Sequence, residues 1–235
     1  MNNDEIREVV SEIGNQIDEV SKSVTEKVLQ ELEIKYGCDF IAIKTGGRID
    51  SGVTAFYISP KSNQSLVFKA VMDNETLEVS DNYIERKVAE EFITELERKL
   101  TENGLTGAAS ALFVSDDDSQ EDNPAITLND YIEKYKVKSA FVYLALDKQT
   151  VCSTSSDSLL DACKTVGDEF KIQIAVNGAV IGGKYKDCAA DMKENPDVNA
   201  TSFDSYSPSG NFHFAVSDGN SNISKEKLEV ELTGE

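Results

Sequence analysis

The sequence predicts an α+β protein: an N-terminal helix on an antiparallel meander closed by a second helix, followed by a mixed α/β unit with a β-rich C-terminus. Three observations carry this reading. Ile6, Val10, Ile13, Ile17, Val20 and Val24 alternate four and three residues apart, an amphipathic helical seam. Between Phe40 and Val79 short apolar runs are separated by glycine, proline and asparagine turns, as in strands joined by tight connections. Beyond Thr127, strand-length apolar runs recur after helical periodicities, which suggests a βαβ-like element. The expected units are residues 1–104, a helix-meander-helix unit; 105–125, a strand and an acidic linker; and 126–235, the mixed unit with its β-rich tail.

Taken in order, Asn2 with Glu5 caps the first helix, and Gly37 stands where a left-handed residue ends one. Its β-branched seam would serve a two-stranded coiled coil, so dimerisation through this helix is one expectation; a helix lying on its own sheet is the other. From Val28 the spacing drifts to Leu32 and Tyr36, and no regular charge pairing flanks the seam, which favours the intramolecular packing. Strands are expected at Phe40–Lys44, Val53–Ile58, Leu66–Val71 and Leu77–Val79, with connections short enough for an antiparallel meander. Leu66, Phe68 and Ala70 share one face while Lys69 takes the other, so one side of the sheet is covered. Asn82 with Glu85 reads as a capping box for a second helix carrying Ile84, Val88, Phe92, Leu96 and Leu100, which ends at Asn103-Gly104.

Lys35-Tyr36-Gly37-Cys38-Asp39-Phe40 after the first helix, with Val79-Ser80-Asp81-Asn82-Tyr83 before the second, resembles a pattern in uncharacterised small lipoproteins and surface proteins of Gram-positive bacteria. The resemblance covers Asn2 to about Leu100, brings no catalytic residues with it, and implies an exported domain. The start, Met1-Asn2-Asn3-Asp4-Glu5, carries no lipobox cysteine or signal. The resemblance therefore implies an extracellular or cell-surface location if a leader has been removed, and a cytoplasmic one otherwise.

In the second half, Ala108–Val114 is an apolar run, and Asp116 to Pro124 is the most linker-like segment. Thr127 with Asp130 opens a short helix bearing Leu128, Tyr131, Ile132 and Tyr135. Ala140–Leu146 is apolar on both faces, as a central strand is. A helix from about Ser156 to Val166, closed by Gly167, precedes a strand at Phe170–Val176, and Asn177-Gly178 signals a type I′ hairpin. The tail reads as strands at Thr201–Tyr206 and Phe212–Val216, then an alternation of Leu228, Val230 and Leu232 against Glu229 and Glu231.

Charge narrows the function. The chain holds 23 basic and 43 acidic residues, a formal net charge of -20, and no basic patch or basic-aromatic interleaving. That field repels phosphate backbones, so no nucleic-acid partner is expected; a basic protein partner or a cation is easier to accommodate. No run has the length of a membrane span.

The chemical motifs are incomplete. Gly178 to Lys184 matches the spacing of a phosphate loop, but Tyr185 replaces the magnesium-binding hydroxyl, and the hairpin expected at Asn177-Gly178 is incompatible with such a loop. The run Gln173 to Gly178 with Ile181-Gly182-Gly183 looks like the glutaredoxin hairpin, yet Ile172 stands at the proline position and there is no C-x-x-C. Asp218, Asn220, Asn222 and Glu226 are the metal-ligating candidates, at calcium-loop spacing with Glu229 at the terminal position. Ile223 occupies the glycine position, so a polar hairpin turn is the competing identity and no other cofactor is expected. His213 lies between Phe212 and Phe214 in a strand, facing away from both, with no G-x-S-x-G motif to complete a triad. Cys163 shares a helical face with Leu159 and Val166 and reads as buried, while Cys152 and Cys188 are a pair that an oxidising compartment would permit. The resulting expectation is a non-enzymatic surface-associated or protein-interaction module. The alternatives are an intracellular acidic protein that neutralises a basic partner, as immunity proteins do, and a hydrolase whose carboxylates are dispersed in sequence.

Overall fold

The computed structural model describes residues 21–46, 52–117, 120–195 and 200–234. Of the six seam positions on which the dimerisation expectation rests, Ile6, Val10, Ile13, Ile17 and Val20 lie outside them and Val24 within. The chain divides into two compact units between Tyr83 and Ile84, whereas the sequence reading closes its first unit at residue 104.

In the first unit, helix α1 spans residues 21–36 and buries Val28, Leu32 and Tyr36. Gly37 ends it at φ +68, a conformation glycine adopts without steric cost. Four strands, β1 (Phe40–Gly46), β2 (Val53–Pro60), β3 (Phe68–Asp73) and β4 (Val79–Asp81), form an antiparallel meander in sequence order, as expected. Phe56, Ile58, Phe68, Ala70 and Met72 fill its covered face. Ring centroids of Phe40, Phe68 and Tyr83 lie 5.0–5.4 Å apart at its centre. The buried carboxylate of Asp81 ties α1 to β4, accepting from Tyr36 Oη at 2.7 Å and Lys35 Nζ at 2.9 Å. Asn82 does not form the expected capping box. Its amide donates to the Lys69 carbonyl at 3.1 Å and its Oδ1 accepts from Lys69 N–H at 2.8 Å, so its side chain extends the β3 ladder instead.

The second unit is built on a five-stranded sheet in sequence order: β5 (Gly107–Val114), β6 (Ser139–Asp147), β7 (Gln173–Ile181), β8 (Gly210–Ser217) and β9 (Asn220–Ser221). Only β6 and β7 are parallel, joined through α4 (Ser155–Phe170) in the anticipated βαβ element. The other helices are α2 (Tyr83–Glu102), α3 (Leu128–Tyr135), α5 (Tyr185–Glu194) and α6 (Lys225–Thr233). Helix α2 buries Ile84, Val88, Phe92, Leu96 and Leu100, the stripe its four-residue spacing dictates. Thr127 caps α3 as predicted, its Oγ1 accepting from Asp130 N–H at 3.2 Å and donating to Asp130 Oδ2 at 2.7 Å.

Several local expectations are corrected. Asn177-Gly178 is not a hairpin, because β7 runs through it. A Cβ on Gly178 would lie 2.2 Å from Phe212 Cζ and 2.7 Å from the Leu144 carbonyl oxygen, so the glycine serves close packing within the sheet. The glutaredoxin-like hairpin goes with it. Helix α4 continues past Gly167 to Phe170 and ends at Lys171, φ +56. Residues Ala200–Tyr206 form a 3₁₀ helix rather than a strand, with Phe203 buried.

The alternation at Leu228–Leu232 is helical. Ser224 Oγ caps α6 by accepting from Lys227 N–H at 3.2 Å, Leu228 and Leu232 are buried, and Val230 is 54% exposed. The acidic linker-like segment is anchored by buried Glu121. Its carboxylate accepts from Asp122 N–H (3.0 Å), Asn123 N–H (2.9 Å), Lys134 Nζ (2.7 Å) and Tyr135 Oη (3.1 Å).

Candidate functional site

The two faces of the five-stranded sheet are covered differently. On one, Ala140, Val142, Leu144 and Leu146 of β6 and Ile174, Val176 and Val180 of β7 are all buried. Helices α4 and α6 pack over that part of the molecule. Strand pleating sends the intervening residues to the opposite face. There Ala108, Ala145 and Ala179 form one end of the sheet, and Cys188 and Met192 of α5 with Phe203 pack against them. Small side chains let a helix approach at that end.

The other end of the same face carries Leu112, Val114 and Phe141, which are 49%, 47% and 44% exposed. Leu112 is the cross-strand partner of Phe141, and Phe141 continues to the Tyr143 ring at a centroid distance of 6.4 Å. Beyond them the register places Ala175 and Asn177 of β7, then Ala215 and His213 of β8. The outcome is a half-face with a large apolar centre and a polar flank, open on a sheet whose other half is shut. Exposed apolar residues scattered singly need no explanation; these three are gathered on one half-face.

Side chains engage backbone amides at β5 and at the part of β8 that β9 leaves uncovered. On β5, Glu97 Oε1 of α2 accepts from Ala109 N–H at 2.9 Å; burial pushes this carboxyl above its ordinary range, against the opposing effect of that hydrogen bond. On β8, Asn222 Oδ1 accepts from Ala215 N–H at 2.8 Å and Asn222 N–H donates to the Ala215 carbonyl at 3.1 Å, while Glu231 Oε2 accepts from His213 N–H at 3.4 Å. The amides of Ala109, Ala215 and His213 are thereby satisfied, which blunts these stretches as templates for another strand.

The four metal candidates sit around the β8–β9 turn and the start of α6. Asp218 and Gly219, at φ +50 and +70, make the two-residue turn, and Asp218 Oδ2 accepts from Ser217 Oγ at 3.1 Å. Asn220 Nδ2 donates to the Asp218 carbonyl at 2.9 Å, Asn222 is engaged with Ala215, and Glu226 lies in the first turn of α6. Among the described residues no group of three or more His, Cys, Asp or Glu is gathered for a metal ion. The phosphate-loop spacing is split: Gly178 to Ile181 belong to β7, and only three residues, Gly182–Lys184, separate it from α5. His213 is exposed and opposite to Phe212 and Phe214, as alternation requires.

All four cysteines are free thiols. Burial pushes Cys163 up to about 12 and Cys188 up to about 11. Cys152 is exposed just ahead of α4; hydrogen bonds from the Thr154 hydroxyl, the Thr154 amide and Ser155 hold its thiol below the ordinary range.

A four-stranded meander followed by a five-stranded mixed sheet with one half-face bare defines an α+β protein of two units. This fold is shared with a solved structure, a DUF5037 family protein from Ruminococcus gnavus ATCC 29149, at a TM-score of 0.71 and 12% identity over 90% of this chain and 100% of that chain. No family model and no curated protein sequence matches the chain.

Proposed function

We propose that this protein is a protein-binding module. Its partner is a separate, basic protein that seats an apolar centre on the open half of the β5–β8 face. The observation that carries the proposal is the exposed cross-strand pair Leu112–Phe141 with Val114 beside it. Two further features support it. Side-chain acceptors on the Ala109 and Ala215 amides favour recognition by the face over addition of a strand at those points. The net charge of -20 favours a basic partner and accelerates its encounter. Placement at a cell surface belongs to the same proposal, supported by the resemblance of residues 35–40 and 79–83 to Gram-positive surface proteins.

The test places a photo-crosslinking phenylalanine analogue at position 141 in the native host, with the same analogue at position 229 of α6 as control. A discrete protein adduct at 141 that disappears on Leu112→Glu is the expected result. Adducts at 141 no different from those at 229, or adducts only with further copies of this chain, would refute a separate partner on this face.

A further inference from the structure

The first unit contains a cleft of about 710 Å³ that the second unit's docking face does not account for. Val53, Val71, Leu77 and Val79 supply its apolar lining, with Val53 36% and Leu77 46% exposed. Glu31 of α1, Asp73 and Glu78 supply three carboxylates, and Ser80 completes it. No lysine, arginine or histidine lines it among the described residues. The volume falls in the range of small-ligand sites, about 300–1,000 Å³.

The local backbone presents these groups. Asp73 Oδ1 accepts from Glu75 N–H and Thr76 N–H, both at 2.8 Å, which fixes the β3–β4 turn and favours the ionised carboxylate. Leu77 follows at φ +60, a left-handed conformation that costs a bulky residue strain, with its amide held by the Asp73 carbonyl at 2.9 Å. Glycine would fit that position better, yet a leucine stands there, at the cleft. Glu31 makes one contact with Lys27, at 3.7 Å on the exposed helix surface, of the kind that exchanges readily.

Among the described residues the lining is apolar with only negative charge around it, which is complementary to a side chain with a hydrocarbon stem and a cationic head. We propose that this cleft binds a lysine or arginine side chain of an extended basic peptide segment, the stem against Leu77 and the aliphatic residues, the head among Glu31, Asp73 and Glu78. The site is independent of the docking face in the second unit, and either can fail without the other.

The probe is a fluorescein-labelled peptide of alternating valine and lysine, titrated by anisotropy at physiological salt, with amide shifts of the isotope-labelled protein mapping the contact. Saturable binding with shifts at Val53, Val71, Leu77 and Val79 is expected. Glu31→Gln with Glu78→Gln weakens it about fivefold, the scale of two partly exposed charge pairs. Glu169→Gln with Glu194→Gln, the same change of net charge in the second unit, leaves it unchanged. Leu77→Gly relieves the backbone strain, so it folds, and it also weakens binding if the stem is recognised. Equal weakening by both glutamine pairs would reduce the effect to the field of the whole chain. Shifts elsewhere, no saturation, or a Leu77→Gly protein that binds as well as the parent would each overturn the assignment.

Discussion

At the scale of single residues, Glu121 shows how a segment that reads as linker is held. Burial alone would raise its carboxyl, but hydrogen bonds from Lys134, the Asn123 amide and Tyr135 prevail and hold it below the ordinary carboxylate range. A depressed folded value means that the stabilisation is present above the unfolded value near 4.3 and is lost as pH falls through the folded one. Glu121→Gln therefore costs about 1–3 kcal/mol at neutral pH. Urea titrations of the two proteins should converge as pH drops below about 4; a gap that stays constant there would contradict the ionised network. The cysteines give a second prediction. Cys152, exposed and with a lowered pKa, alkylates first with iodoacetamide, while Cys163 and Cys188 react only on unfolding. Mass mapping of a partial reaction decides it. The Cys-Ser-Thr-Ser run ahead of a helix was the available signal for Cys152, since hydroxyl and amide donors next to a thiol are what favour its thiolate.

At the scale of elements, legibility followed how well each apolar pattern distinguished the two periodicities. Ile84 to Leu100 repeats every four residues over a long stretch, while the positions halfway between, which a strand would bury with them, are Arg86, Glu90, Thr94 and Arg98; α2 is where that pattern puts it. Leu228, Val230 and Leu232 satisfy a strand's alternation and, through Leu228 and Leu232, a helix's four-residue step. The Ser224 cap and Gly234 at φ +73 decide for the helix. Leu232→Ala should accordingly cost about 2–4 kcal/mol, and Val230→Ala within about 0.5 kcal/mol; equal losses in chemical denaturation would restore the strand. Asn177-Gly178 misled because turn chemistry is local, while the reason for Gly178 is a phenyl ring more than thirty residues away in sequence, Phe212. The bare half-face was hidden for a related reason. An apolar run on both sides of β6 marks a central strand, which it is, but the pattern does not say how far a covering helix extends. The contrast of Ala108, Ala145 and Ala179 with Leu112 and Phe141 carries that information once the register is known.

At the scale of the whole molecule, the division between Tyr83 and Ile84 assigns nearly all of α2 to the second unit. Phe92 packs on Phe113 and Phe170, at centroid distances of 5.6 and 5.8 Å, and Glu97 accepts from the Ala109 amide of β5. A fragment of residues 84–235 should then unfold cooperatively on heating, whereas one of residues 105–235, cut at the boundary read from sequence, should bind a hydrophobic dye and aggregate. Calorimetry and dye fluorescence separate the two outcomes, and a well-folded 105–235 would show that α2 is dispensable. The placement of Asn177-Gly178 also bears on how the protein ages. Such a pair loses its amide when the following backbone nitrogen turns to attack the asparagine side chain, one source of the thermal lability of asparagine. In β7, paired with a strand on each side, that turn is unavailable, while Asn103-Gly104 lies in an exposed helix-end turn. Deamidation at Asn103 therefore keeps time for the folded chain, and deamidation at Asn177, measured against it, records how often the central sheet has come apart.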